Sequence, residues 1–140
     1  MKLYKWNCTV MFAHCDVAGT VFYPRFYDWF DQSTEQLFRQ NHLSYAELKR
    51  EYDVIGMPLV ESGASYLNAC MIGDELEISS WVDEWEGKTF VVKHQVKHDD
   101  GRVALEGFER RVWVVADEKS PNRIRAVEIP KIAIERFADP

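Results

Sequence analysis

The sequence has no basic tract, no paired cysteines and no long apolar run, and each absence removes a class of function. With 17 Lys and Arg against 23 Asp and Glu the net charge is −6. That balance argues against a nucleic-acid-binding or anionic-membrane protein, although a few placed cations still suffice to hold one phosphorylated small molecule. Cys8, Cys15 and Cys70 are odd in number, widely spaced and form no Cys-x-x-Cys pair. Neither a disulfide framework nor a structural zinc site is supported, and a reducing compartment is expected. The longest purely apolar run, Val112 to Ala116, falls far short of a membrane span, and Met1 to Val10 holds no apolar stretch of signal-peptide length. The expectation is a soluble cytoplasmic protein. No internal repeat, linker or low-complexity tract divides the 140 residues, which read as one domain, 1–140.

What is present is an aromatic surplus. Hydrophobic residues make up 46% of the chain, enough for a real core, and Trp 5, Tyr 6 and Phe 8 give more flat side chains than one small core needs. Some of these rings are expected to line a pocket or a subunit interface.

The local patterns predict an α+β layout. From Leu3 to Phe12, Tyr4, Trp6, Cys8, Val10 and Phe12 alternate with Lys5, Asn7 and Thr9, the period-2 signature of a half-buried strand. His14 to Thr20 breaks the alternation as a loop. A helix is predicted from Pro24 to Gln40, with Phe26, Trp29, Phe30, Ser33 and Leu37 on one face. Ser44 with Glu47 forms a capping box that predicts a second helix, Tyr45 to Tyr52. Strands are predicted at Leu59 to Tyr66, Glu75 to Trp85, Lys88 to Lys97, Val103 to Val115 and Arg123 to Glu128, joined as a meander through turns at Gly73-Asp74, Glu86-Gly87 and Asp99-Asp100-Gly101. Pro130 opens a last helical turn. One long helix cannot cover both faces of such a sheet or protect its edges, so self-association is expected.

Asp16 carries the most chemistry. It lies in a Gly-containing loop shortly before Pro24, so its carboxylate can sit beside the unpaired N–H groups of the helix start. There the donors polarise a carbonyl and the carboxylate attacks it or activates water. The residues alone leave a second reading open, an Asx turn in which Asp16 only bonds its own backbone. His14-Cys15 is a poor nucleophile pair, because adjacent residues on an extended loop point apart. His94 and His98 fall on a predicted strand, about 13 Å apart at four residues, so no metal site is expected.

The run from Asp16 through Tyr23-Pro24 to Asp31 resembles the signature of the 4-hydroxybenzoyl-CoA thioesterase family, acyl-CoA thioesterases of the hot-dog fold. Gly56-Met57-Pro58-Leu59-Val60-Glu61-Ser62, Gly73-Asp74-Glu75-Leu76-Glu77-Ile78 and Arg123 to Pro130 extend the likeness over nearly the whole chain. The resemblance implies a long central helix wrapped by a curved antiparallel sheet of five or six strands, and hydrolysis of an acyl-CoA, with aroyl groups preferred. It places the catalytic carboxylate on Asp16 and the carbonyl-binding amide on Tyr23. It implies an acyl pocket at Phe22, Phe26 and Trp29, with Asp31 facing a polar ring substituent. It puts the cations for the nucleotide phosphates on Lys88 and Arg125, with Arg123 on the same strand face. No cofactor is implied, and the partner is a second copy, as homodimer or homotetramer. The family pattern has a basic cluster after the tryptophan of the strand turn, where this chain has Glu86-Gly87 after Trp85. That departure keeps a short-chain or fatty acyl thioesterase served by an acyl carrier protein open, beside a non-catalytic acyl-thioester-binding module.

Overall fold

Pro24 suits a helix start because its φ is already helical and its absent N–H would be unpaired there. In the computed structural model, which describes residues 1–139, helix α1 runs Pro24–Gln40 as the spacing predicts. It buries Phe26, Trp29, Phe30, Ser33, Thr34, Leu37 and Phe38 along one stripe. Helix α2 (Tyr45–Tyr52) begins at the predicted capping box: Ser44 Oγ accepts the Glu47 N–H at 3.3 Å and the Glu47 carboxylate accepts the Ser44 N–H at 3.0 Å. The last helix, α3 (Lys131–Glu135), brings Phe137 against Phe38 and Trp85, with ring centroids 4.8 and 5.1 Å apart. Among the described residues no helix is long and apolar enough to cross a membrane.

Among the described residues, eight strands form two sheets. The main sheet has the order β1-β4-β5-β6-β3, where β1 is Tyr4–Thr9, β3 Leu59–Tyr66, β4 Glu75–Glu86, β5 Thr89–His98 and β6 Val103–Val112, and every neighbouring pair is antiparallel. The hot-dog layout implied by the resemblance is therefore present, with α1 packed on one face. Its strand connections correct two expectations. Only β4, β5 and β6 form the predicted meander. The Gly73-Asp74 turn does not close a hairpin; the chain crosses from β3 to the opposite side of the sheet, and the turn locks onto β1's end through Gly73 N–H to Val10 O and Val10 N–H to Asp74 O, each 2.8 Å. The first strand also stops at Thr9 rather than Phe12, because Met11 turns its N–H to His14 Nδ1 at 2.9 Å and leaves Phe12 84% exposed in a short 3-10 turn.

The second sheet, β2-β7-β8 (β2 Val54–Gly56, β7 Val114–Ala116, β8 Ile124–Ala126), was only half visible in the sequence. The predicted strand Val103 to Val115 breaks at buried Trp113, which gives its N–H to Lys88 O at 2.9 Å and accepts from Val127 N–H at 3.0 Å. Beyond this break the chain pairs with β2 instead of β3.

Gly107 on β6 lets the helix approach the sheet closely. A Cβ there would lie 2.5 Å from the Phe30 ring, so any side chain would push α1 away. At the other side of β6, β3 is an outer strand with Leu59, Val60 and Tyr66 exposed.

Candidate functional site

The loop ahead of α1 folds as a narrow hairpin. Asp16 N–H bonds Thr20 O at 2.9 Å, Phe22 N–H bonds His14 O at 2.9 Å, and Gly19 makes the turn at φ +80°, a region that glycine enters without steric cost. Two bonds fasten the hairpin to the segment before β4: Val21 N–H to Cys70 O and Ile72 N–H to Gly19 O, both 2.9 Å.

Asp16 is exposed at the tip. Its Oδ1 accepts the Ala18 N–H at 2.9 Å, and the Thr20 hydroxyl stands 3.1 Å from both carboxylate oxygens. The Asx-turn reading therefore holds, yet these bonds occupy only part of the carboxylate's acceptor capacity and orient what remains.

Tyr23 caps α1 in helical geometry, φ −51° and ψ −33°. Phe22 O accepts the Arg25 N–H and Tyr23 O the Phe26 N–H, and Pro24 has no N–H to give. Among the described residues the Tyr23 N–H has no acceptor, so the helix presents one open donor at its positive end. Tyr23 itself lines a cleft of about 310 Å³, together with Thr20, Phe26, Tyr66, Cys70 and Leu105, among others. Thr20 links the cleft to the Asp16 carboxylate.

The other sequence-predicted residues are distributed differently. Phe26 lines this cleft and packs edge-on to Tyr66 at 6.1 Å. Trp29 lies in the core, edge-on to His14 and Phe26 at 5.1 and 5.3 Å. Phe22 precedes the helix and is 46% exposed, outside the buried stripe that holds Phe26 and Trp29. Arg123 sits in the turn before β8 at φ +62°, not on a strand face. Arg125 is on β8 but pairs with Asp117 at 3.2 Å. Lys88 lies in the β4–β5 turn, at the end of the sheet opposite the Asp16 hairpin. The ten residues of β5 separate those ends by about 30 Å, so one protomer does not bring Lys88 and Arg125 to Asp16.

His14 and Cys15 are engaged separately, His14 Nδ1 with the Met11 N–H and Cys15 Sγ with Met11 O. His94 and His98 do share a face of β5, but His98 Nε2 bonds Ala69 O at 3.1 Å while His94 belongs to a different cluster.

That cluster went unpredicted. Under the middle of α1, Glu109 and Arg111 of β6, His94 of β5, Ser80 of β4 and Thr34 of α1 are all buried. Glu109 accepts from the Thr34 hydroxyl, from His94 Nε2 at 3.1 Å and from Arg111 Nη2 at 2.8 Å. The Ser80 hydroxyl meets His94 Nδ1 at 2.6 Å, and the His94 ring stacks on Phe30 at 4.4 Å. Burial pushes the Glu109 carboxyl up, but His94 and Arg111 outweigh it and bring it down to about 2. Arg111 reaches out of the core to Asp31 Oδ1 at 2.6 Å. Asp31 is thus a paired charge rather than a merely solvated one. A signal for the cluster existed: continuing the strand parity from Leu105 puts Glu109 and Arg111 on the buried face.

The family model of the thioesterase-like superfamily matches residues 10–137. The chain is 30% identical over 131 residues to 4-hydroxybenzoyl-CoA thioesterase of Pseudomonas sp. (strain CBS-3), covering 90% of this chain and 91% of that protein. It is 27% identical over 115 residues to 1,4-dihydroxy-2-naphthoyl-CoA hydrolase of Synechococcus sp. (strain CC9605), covering 79% and 76%. Its fold is similar to the crystal structure of a 4-hydroxybenzoyl CoA thioesterase mutant complexed with 4-hydroxybenzoyl CoA, with TM-score 0.87 and 26% identity, covering 99% and 100% of the two chains. With its hot-dog architecture, its helix-start cleft and a family match over most of its length, the chain belongs to the thioesterase-like superfamily.

Proposed function

We propose that the protein hydrolyses an aroyl-CoA thioester to the free acid and CoA. The observation that carries this reading is the open Tyr23 N–H, in a residue lining a cleft whose Thr20 hydroxyl bonds the Asp16 carboxylate. The Tyr23 amide donates to the thioester carbonyl oxygen and stabilises the negative charge that develops there. It is fixed by the fold, so little reorganisation is needed at the moment of reaction. Asp16 attacks the carbonyl carbon, CoA leaves as the thiolate, and water attacks Asp16 Cγ of the mixed anhydride, releasing the free acid and regenerating the carboxylate. The competing route, in which Asp16 orients a water, is separated by single turnover in isotopically labelled water: only the nucleophilic route puts label into Asp16. Aroyl substrates are favoured because the two relatives named above are called hydrolases of hydroxybenzoyl-CoA and dihydroxynaphthoyl-CoA.

Two copies join through the free edge of β3, where Leu59, Val60 and Tyr66 are exposed. Asp31 stands eight residues beyond Tyr23, about 12 Å along the helix, which is longer than a benzoyl group. It therefore serves the acyl group bound by the neighbouring copy, and Lys88 and Arg125 reach the nucleotide phosphates in the same way. A thiol-release assay over benzoyl, hydroxybenzoyl and straight-chain CoA esters tests the activity. Release from none of them overturns the reading and leaves a binding module. Light scattering on the purified protein tests the assembly, and a stable monomer overturns it.

A further inference from the structure

We infer that Arg111 is a positioning residue for acyl-group selection, holding Asp31 so that one carboxylate oxygen is presented to a hydroxyl on the acyl ring. The inference rests on the aroyl-CoA reading. It starts from an asymmetry in the ion pair: the Arg111 side chain is 5% exposed while that of Asp31 is 70% exposed. An ordinary surface pair would hold neither partner firmly, since two long side chains must be ordered against water. Here one partner is ordered already. Arg111 Nη1 donates to Met57 O at 2.8 Å, Nη2 to Glu109 Oε2 at 2.8 Å, and Nε to Glu109 Oε1 at 3.4 Å. Glu109 is anchored in turn by Thr34 and His94. The remaining Nη2 direction meets Asp31 Oδ1.

Asp31 is thereby fixed from below by a guanidinium that cannot rotate away. Its Oδ2 has no partner among the described residues, and Asp31 lines a cavity of about 460 Å³ together with Thr34, Glu35, Tyr45 and Arg111. A phenolic hydroxyl donating to Oδ2 gains a charge-assisted bond without first ordering the carboxylate. An acyl group lacking the hydroxyl forfeits that bond.

The test measures binding and turnover separately. Calorimetry with two non-hydrolysable CoA thioethers, one carrying a hydroxyaryl and one a plain phenyl group, should give wild-type protein a preference of roughly tenfold for the hydroxyaryl, as one hydrogen bond to a charged group supplies. Asp31→Asn should reduce the ratio to near one. So should the double variant Glu109→Gln/Arg111→Met, which removes both buried charges together and so avoids orphaning either. Arg111→Lys, which keeps the charge but not the fork, should give an intermediate ratio. In thiol release the same variants should raise KM for hydroxybenzoyl-CoA several-fold more than KM for benzoyl-CoA. A wild-type ratio near one, a ratio retained in both Arg111 variants, or equal losses for both substrates would overturn the inference. Hydroxyaryl preference without any thiol release would overturn the hydrolase reading alone.

Discussion

Asp16 and Glu109 are both carboxylates held by hydrogen bonds, and the molecule treats them in opposite ways. Asp16 is exposed and all its partners lie within four residues of it, at Ala18 and Thr20. Glu109 is buried, and two of its partners, His94 and Thr34, lie 15 and 75 residues away. A locally held, solvated carboxylate is available for chemistry and contributes little to the fold. A remotely held, buried one contributes to the fold and is closed to chemistry.

The sharpest way to break this contrast is to neutralise Asp16. Asp16→Asn keeps the acceptor for the Ala18 N–H, so melting should be unmoved, while hydrolysis should fall by about 10²–10⁴-fold. Thiol release alongside thermal denaturation reads both. Near-normal turnover would place the chemistry elsewhere.

Glu109→Ala should do the reverse. It leaves Arg111 and His94 buried without their acceptor, and urea denaturation should show a loss of about 3–5 kcal/mol. Asp16→Ala under the same conditions should stay within about 0.5 kcal/mol.

Acid gives a third, slightly smaller effect. The Glu109 carboxyl is lowered from 4.5 to about 2 in the fold. Its stabilisation is therefore complete above the unfolded value and is lost as pH falls from about 4.5 toward 2. The loss is roughly 3 kcal/mol. Glu109→Gln should flatten that part of the stability curve, and an unchanged acid limb in the variant would refute the assignment.

The smallest expected change is at Phe22. Being 46% exposed, it should lose no more than about 0.5 kcal/mol on truncation to Ala. Trp29→Ala, cut from the core seven residues further on, should lose about 3–5 kcal/mol. Equal losses would mean that Phe22 packs against something beyond its own protomer.

The same contrast explains what the sequence made legible. Helices α1 and α2 and the turns at Gly87 and Gly101 rest on neighbours a few residues apart, so periodicity, Pro24, the Ser44–Glu47 box and the glycines were enough to find them, whereas the Asp16 segment read only as a loop. The placement of β3 beside β6 rather than β4 depends on pairing across 39 residues at Tyr66–Leu105 and 52 at Leu59–Arg111, which no local pattern encodes. The break at Trp113 depends on Lys88 O as acceptor, and the Glu109 cluster on three strands and a helix meeting. At the site, the resemblance supplied Asp16 and Tyr23. The open donor at Tyr23 became visible only once the bonds of its neighbours were assigned.

The tight turn that joins β4 to β5 has an engineering consequence. A hairpin tip of this kind is usually where a chain tolerates inserted peptide best. This one is stitched on both sides, since Gly87 O accepts the Ile129 N–H at 3.0 Å and Lys88 O accepts the Trp113 N–H at 2.9 Å. Lengthening it would pull at both seams of the small sheet and loosen the wall against which Trp113 is packed. An affinity tag or fluorescent reporter therefore belongs in the Asp117 to Asn122 turn, whose bonds, Asp117 N–H to Arg123 O at 2.8 Å and Arg125 Nε to Asp117 Oδ2 at 3.2 Å among them, stay within the β7–β8 hairpin.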